Sequence, residues 1–190
     1  APGGSGEVRV STGALLSTSG PLKVWPDGIV SLDGGTVMAP AGLELAGGIL
    51  EGHGLLNSTV FNSGTVEVDG LLEIMDSYAQ APTGRLKINL DGISPNDILA
   101  IDGLAILSGV LEFDFVGGFV PAYGTAVEVL SFAARSGQFA SIVGPQYAPG
   151  RSLVPVYSAT TLSLYAFLPG DANGDGRAFR FAQFVETRIN

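Results

Sequence analysis

Cysteine is absent from this chain, and histidine and tryptophan occur once each. Without cysteine there are no disulfide bonds, thiolate nucleophiles or thiolate metal ligands. Charged residues make up only 14% of the 190 residues, against roughly 25% in an ordinary soluble domain. Helix bundles depend on Glu, Lys, Arg and Ala, so this composition disfavours them.

The few charges are mostly acidic. Eighteen Asp and Glu residues stand against nine Lys and Arg, for a net charge of −9. Nucleic acids and anionic membranes are bound through basic patches, so we expect neither as a partner. No apolar run approaches the roughly 18 residues that a transmembrane helix requires, and we expect no membrane insertion.

Glycine, by contrast, is abundant, with 28 of 190 residues against a usual share of roughly 7%. Many glycines precede apolar residues at the second and fourth following positions. The pattern occurs at Gly28-Val30-Leu32, Gly64-Val66-Val68, Gly70-Leu72-Ile74, Gly84-Leu86-Ile88 and Gly109-Leu111-Phe113. Side chains two apart lie on one face of a strand, so each motif predicts a turn and then a short β-strand. We expect the six apolar residues of the first three motifs to face the core.

The spacing of the glycines distinguishes between two possible all-β architectures. Glycines at 35, 42, 48 and 54 follow at steps of six or seven residues, which leaves room for one short strand and one corner. Strands of ordinary β-sandwiches recur at roughly 8–12 residues. The steps therefore favour a β-solenoid (β-helix) whose stacked coils each contain three strands and about 18–21 residues. An irregular β-sandwich is the alternative. The longer gap around Met75-Asp76-Ser77-Tyr78 is predicted to be a bulging loop.

Composition divides the chain into three parts. Residues 1–115 carry the glycine-led motifs and are predicted to form the solenoid coils. Residues 116–168 have more aromatics and prolines and longer strand patterns, which we interpret as a β cap over the apolar end of the last coil. Residues 169–190 are a linker and tail, in which Phe181, Phe184 and Ile189 have the spacing of a short helix.

The segment NSGTVEVDGLLEI at 62–74 resembles the repeats of autotransporter-type passenger domains and related exported bacterial β-helix proteins. Three further segments, PTGRLKI at 82–88, DILAIDG at 97–103 and GVLEF at 109–113, resemble the end of such repeats. The resemblance implies a right-handed solenoid, export, and a structural or adhesive role. The start Ala1-Pro2-Gly3 also fits a mature N-terminus left by signal-peptide cleavage.

The segment GDANGDG at 170–176 resembles the opening of a dockerin or EF-hand calcium loop. In such a loop Asp171, Asn173 and Asp175 supply oxygens at positions 1, 3 and 5, and Arg177 supplies its backbone carbonyl. Position 12, which usually closes the shell with a carboxylate, is Ala182. The segment therefore predicts weak calcium binding, with a metal-free polar linker as the alternative.

Candidate catalytic residues are few. His53 lies in Gly52-His53-Gly54 without a nucleophile motif nearby, which favours a solvated corner histidine. A carbohydrate-active solenoid would cluster carboxylates and basic residues on one face. The acids available are Asp91, Asp97, Asp102, Glu112 and Asp114, with Arg85 and Lys87 close in sequence. Several of these charges alternate with core residues, as outward-facing positions of strands do.

These observations predict a non-catalytic, secreted or cell-surface structural or adhesive protein. A polysaccharide- or protein-binding module is the alternative, and a solenoid carbohydrate-active enzyme is the third hypothesis. The segment Gly6 to Leu16 is predicted to join the edge of another copy end to end, as in a filament or matrix subunit, or else to complete its own first coil.

Overall fold

The computed structural model describes residues 5–92, 97–144, 146–148 and 151–167, without the side chains of 146–148, 151 and 167. These residues are all-β and contain no helix. The strands are β1 (Gly6–Ser11), β2 (Leu15–Ser17), β3 (Leu22–Val24), β4 (Gly28–Met38), β5 (Leu43–Leu45), β6 (Ile49–Asn57), β7 (Val60–Asn62), β8 (Thr65–Ile74), β9 (Tyr78–Gln80), β10 (Arg85–Leu90), β11 (Ile98–Leu107), β12 (Val110–Phe115), β13 (Ala126–Gly137), β14 (Ser141–Val143), β15 (Gln146–Ala148), β16 (Arg151–Tyr157) and β17 (Thr161–Phe167).

The strands form one curled, mainly parallel sheet whose pairings fall into three columns. The first column runs through β1, the first parts of β4, β6 and β8, then β10, β12 and β14. The second contains β2, the second parts of β4, β6 and β8, and the first parts of β11 and β13. The third contains β3, β5, β7, β9 and the second parts of β11 and β13.

This arrangement is compatible with a β-solenoid and differs from the antiparallel sheets of a β-sandwich. Parallel pairing continues beyond residue 115, because β13 pairs with β11 and β14 pairs with β12. The repeat length is less regular than the glycine spacing predicts. In the first column Leu50 pairs with Val66, 16 residues on, whereas Leu111 pairs with Ile142, 31 residues on. The extra residues extend the corners and leave the register of the columns intact.

A single apolar core runs through the described chain from Val10 to Ala166. The prediction of inward-facing residues is confirmed, since all six are at most 3% exposed. They are Val30, Leu32, Val66, Val68, Leu72 and Ile74. Strand alternation explains the pattern, because every second side chain of a strand points to the same face.

Glycines mark the entry to the first column, where consecutive turns of the chain approach closely. A Cβ atom on Gly64 would lie 2.1 Å from the carbonyl oxygen of Gly48, so no larger residue fits without a backbone shift. That carbonyl accepts a hydrogen bond from the N–H of Thr65 at 3.0 Å, and the carbonyl of Gly64 accepts one from Arg85 at 2.9 Å. Gly64 thus permits close stacking at this corner.

The prediction of a bulging loop at 75–78 is wrong at its last residue. Tyr78 begins β9 and is fully buried. Its hydroxyl donates to Gln80 Oε1 at 2.6 Å and accepts from Asn62 Nδ2 at 3.0 Å. Burial in this apolar interior raises the pKa of Tyr78. A buried polar network therefore satisfies the hydroxyl and allows the ring to fill the core.

Antiparallel strands follow the parallel part of the sheet. β17 pairs with β13 in the antiparallel sense, and β16 pairs with β17 and β15 in the same way. The four apolar residues of this region that reach the core are at most 2% exposed. They are Leu153, Leu162, Leu164 and Ala166. The apolar end of the sheet near β13 is thus covered by antiparallel strands.

Candidate functional site

A polar groove of about 420 Å³ lies outside the bend between the first and second columns. Its lining residues come from five neighbouring turns of the chain and are mostly charged or polar. They are Arg9, Ser31, Leu32, Asp33, Glu51, Gly52, His53, Glu67, Asp69 and Asn89. Five of them are acidic or basic outward positions of the first column, which alternate with the buried residues of the same strands.

Glycine shapes the bend that forms the groove. In β6 the chain turns at Gly52, with φ 102°, and at Gly54, with φ 141°. A Cβ atom on Gly52 would lie 1.8 Å from the carbonyl oxygen of Leu32, so both the backbone angle and the close approach require glycine. His53 lies between these glycines and is half-buried. The predicted corner position of His53 is therefore confirmed, although its side chain is partly buried rather than fully solvated.

Several of the charged side chains that line the groove form ion pairs. The guanidinium of Arg9 donates to Asp33 Oδ2 at 2.8 Å, and Lys87 Nζ lies 3.0 Å from Glu67 Oε2. The hydrogen bond from Arg9, with its positive charge, lowers the pKa of Asp33, and the nearby His53 lowers it further. In the described part of the chain, Glu51 and Asp69 form no ion pair. The groove therefore contains paired charges together with two carboxylates, of Glu51 and Asp69, that have no ion-pair partner among the described residues.

The groove is also lined by Ser31, Asp33 and His53. Serine, histidine and aspartate are the residue types of a nucleophilic triad. Such a triad requires a hydrogen bond from the nucleophile to the histidine and from the histidine to the acid. Among the described residues, no hydrogen bond joins His53 to either side chain, and Asp33 is bonded to Arg9. The three residues are neighbours through strand register, since Asp33 is the register partner of His53.

The acids singled out in the sequence do not converge on one site. Glu112 is paired with Arg85 on the first column, and Asp114 is exposed further along β12. Asp102 is exposed at the bend of β11 between the second and third columns. Asp91 is exposed at the end of β10. The predicted outward positions, including Glu73, are confirmed as exposed or half-buried.

Asp97 differs from the other acids because it is only 8% exposed. Its carboxylate accepts hydrogen bonds from the backbone N–H of Gly70 at 2.7 Å and of Asn89 at 3.0 Å. Burial raises the pKa of the Asp97 carboxyl, and the nearby charges of Asp69 and Asp91 raise it further. The two hydrogen bonds lower this pKa, but burial has the larger effect. Asp97 thus ties together two neighbouring turns of the chain from beneath the groove.

Sequence reasoning missed the groove because its residues are far apart in the chain. Arg9 and Asp33 are 24 residues apart, and only the column register brings them together. The signal that was available is the alternation of charged and apolar residues in the glycine-led strands. The predicted calcium ligands Asp171, Asn173, Asp175 and Arg177 lie outside the described residues.

Within the described ranges, no group of three or more His, Asp or Glu side chains is placed to hold a metal ion. No helix long and apolar enough to span a membrane occurs in that part of the chain either. Comparison with models of known protein families gives no match. Comparison with curated protein sequences gives no match either.

Proposed function

We propose that the chain is a non-catalytic, exported bacterial protein that serves as a structural or adhesive element outside the cell or on its surface. The proposed architecture is a right-handed β-solenoid in which the three columns close around the core. The right hand is supported by the general preference of parallel strands for right-handed crossover connections. Export is supported by the resemblance of the glycine-led repeats to those of exported β-helix proteins.

The observation that carries this proposal is the continuous stack itself. One apolar core extends through every described strand column, and four ion pairs join successive turns of the chain. They are Arg9–Asp33, Lys23–Glu44, Glu67–Lys87 and Arg85–Glu112. In this chain the acidic and basic side chains of these four ion pairs connect neighbouring turns. A repeat stack of this kind provides a rigid, extendable body.

The two ends of the stack support end-to-end self-association. Antiparallel strands cover the end near β13, whereas Val8 in β1 is 46% exposed at the other end. Exposed strand edges accept strands of other chains. A head-to-tail contact would propagate into a filament, and a head-to-head contact would close as a pair.

The experiment for this proposal is immunogold electron microscopy of the native bacterium with antibodies against the chain. We expect label outside the cell envelope, in surface or matrix material. Label confined to the cytoplasm would contradict the proposed location. Turnover of acidic polysaccharide by the purified chain, lost on substitution of groove carboxylates, would contradict the non-catalytic role.

A polysaccharide-binding module is the second candidate, and the groove beside His53 favours it. Arg9, His53 and Asn89 offer donors, and Glu51 and Asp69 offer acceptors, as hydroxyl-rich ligands require. A glycan array tests this candidate. Binding that is lost in Glu51→Gln with Asp69→Asn, and kept in the matched pair Glu73→Gln with Asp114→Asn, would support it. Equal signals in all three proteins would contradict it.

A further inference from the structure

The end of the sheet formed by β1, β2 and β3 has an apolar face that none of the described residues covers. Among the described residues these strands have parallel partners on one side only, in β4 and β5. Val8 is 46% exposed, whereas Val30, its register partner in β4, is 3% exposed. Leu16 and Leu22 are likewise only partly buried, although they pack against the core. This face has the residues of a core, and the described ranges place no further layer on it.

The edge strand of this face has a self-complementary order of residues. β1 begins Gly6-Glu7-Val8-Arg9-Val10. In an antiparallel pair centred on Val8, Glu7 of one copy lies opposite Arg9 of the second copy, and the reverse. Both side chains are exposed and lie two residues apart, so they share the outer face. Opposite charges at directly paired positions stabilise antiparallel strands, and like charges destabilise them.

The alternative contacts lack this complementarity. A parallel in-register pair would place Glu7 against Glu7 and Arg9 against Arg9. A head-to-tail contact would place β1 against β14, the last strand of the first column, whose outward residues Ser141 and Val143 carry no charge. The head-to-head antiparallel arrangement is therefore the one in which the charges of β1 are matched.

We propose that β1 of one copy pairs antiparallel with β1 of a second copy, centred on Val8, and closes a two-fold head-to-head pair. The proposal rests on the proposed solenoid and its end-to-end association. A two-fold axis normal to the first column keeps both interiors on the same side and makes the column continuous across the pair. The same rotation brings β2 of each copy toward β3 of the other, so that Leu16 and Leu22 are covered as well.

The ion pair between Arg9 and Asp33 is compatible with this contact. The two side chains are 62% and 47% exposed, so the guanidinium keeps free donors on its outer side. In the pair, Arg9 lies between Asp33 of its own chain and Glu7 of the second copy. A guanidinium has five N–H donors and accommodates two carboxylates.

The test is sedimentation equilibrium of the full chain, Ala1–Asn190, at low salt, with Glu7→Arg, Arg9→Glu and an equimolar mixture of the two variants. Each single variant places like charges opposite each other at both symmetric positions. We expect the dissociation constant of the pair to rise about tenfold or more in each. In the mixture, a copy with two arginines meets a copy with two glutamates, and we expect association to return to the level of the unchanged chain. Glu73→Arg makes the same charge change on an exposed residue away from this edge and serves as the matched control.

Four results would overturn the proposal. Three of them are a monomer at all concentrations of the unchanged chain, single variants that associate as strongly as Glu73→Arg, and a mixture that stays monomeric while both variants retain their β-rich circular dichroism. Growth of the unchanged chain beyond a pair would also overturn it, but would leave the proposed structural role standing with a head-to-tail contact. The two proposals therefore fail separately.

Discussion

At the scale of single residues, the corner glycines determine how closely neighbouring turns stack. Four strands of the first column, β6, β8, β10 and β12, are each directly preceded by a glycine. These glycines are Gly48, Gly64, Gly84 and Gly109. A Cβ atom on Gly109 would lie 2.3 Å from the carbonyl of Gly84, much as one on Gly64 would meet Gly48. The glycine-led motif is therefore a packing requirement of the stack as well as a turn signal.

Gly64→Ala tests this requirement. We expect the free energy of unfolding to fall by about 1–3 kcal/mol, because the added methyl group meets backbone that cannot move independently. Gly20→Ala is the matched control, since no atom lies within 4 Å of the Cβ position at Gly20. Urea denaturation of both variants measures the difference. Equal stability of the two variants would contradict the close-stacking account.

The buried carboxylate of Asp97 predicts a specific pH dependence. Its pKa is raised above the ordinary value of 3.8 by burial, so folding favours the protonated form. The contribution of this group to stability is full below pH 3.8 and is lost as the pH rises through the raised pKa. Asp97→Asn removes that titration while keeping the shape of the side chain.

We therefore expect the stability of the unchanged chain, relative to Asp97→Asn, to decrease as the pH rises from below 3.8 toward neutrality. Chemical denaturation of both proteins across this range gives the difference at each pH. Asp33 and Asp76, whose pKa values are lowered in the folded chain, are present in both proteins and cancel. A relative stability that increases with pH would contradict the burial account.

At the scale of elements, the glycine-led strands were predictable from sequence, whereas the side-chain contacts between neighbouring turns were not. Strand alternation determines which residues of β4 and β8 face inward, and this effect is local. Tyr78 was misplaced because its burial depends on a hydrogen bond from Asn62 of the neighbouring strand β7, as well as on Gln80 of its own strand. The groove escaped prediction for the same reason, since Arg9 and Asp33 meet only through the register of β1 with β4.

The antiparallel strands β16 and β17 are expected to protect the end of the stack. Leu164 is fully buried and is the register partner of Val127 in β13. Leu164→Asp places a carboxylate in this interior, which we expect to release β17 and expose the edge of β13. Light scattering should then detect aggregates larger than a pair. Val154→Asp, at a position 42% exposed, is the control, and equal aggregation of both variants would contradict a capping role.

The predicted calcium loop at 171–177 is tested separately from the sheet. We expect weak calcium binding, because Ala182 stands where a loop of this kind has its closing carboxylate. Calorimetric titration of the full chain, compared with Asp171→Ala and Asp175→Ala, measures it. Heat that is present in the unchanged chain and absent from both variants would support the loop. No heat, or equal heat in all three, would favour a metal-free linker.

At the scale of the whole molecule, the chain is proposed to be a short stack with two unlike ends. The first column contains seven strands, which at a spacing of about 4.8 Å gives a stack roughly 30 Å long. At one end β13 is covered by the antiparallel strand β17, and the other end presents β1 with its alternating charges. Association through that end adds length without adding width.

Small-angle X-ray scattering of the full chain over a concentration series tests this central claim most directly. We expect the maximum dimension to rise roughly twofold with concentration while the cross-sectional radius of gyration stays constant, as end-to-end contact requires. Deletion of residues 1–16 should abolish the increase. A maximum dimension that does not change with concentration, or a cross-section that thickens as the particles grow, would contradict end-to-end self-association.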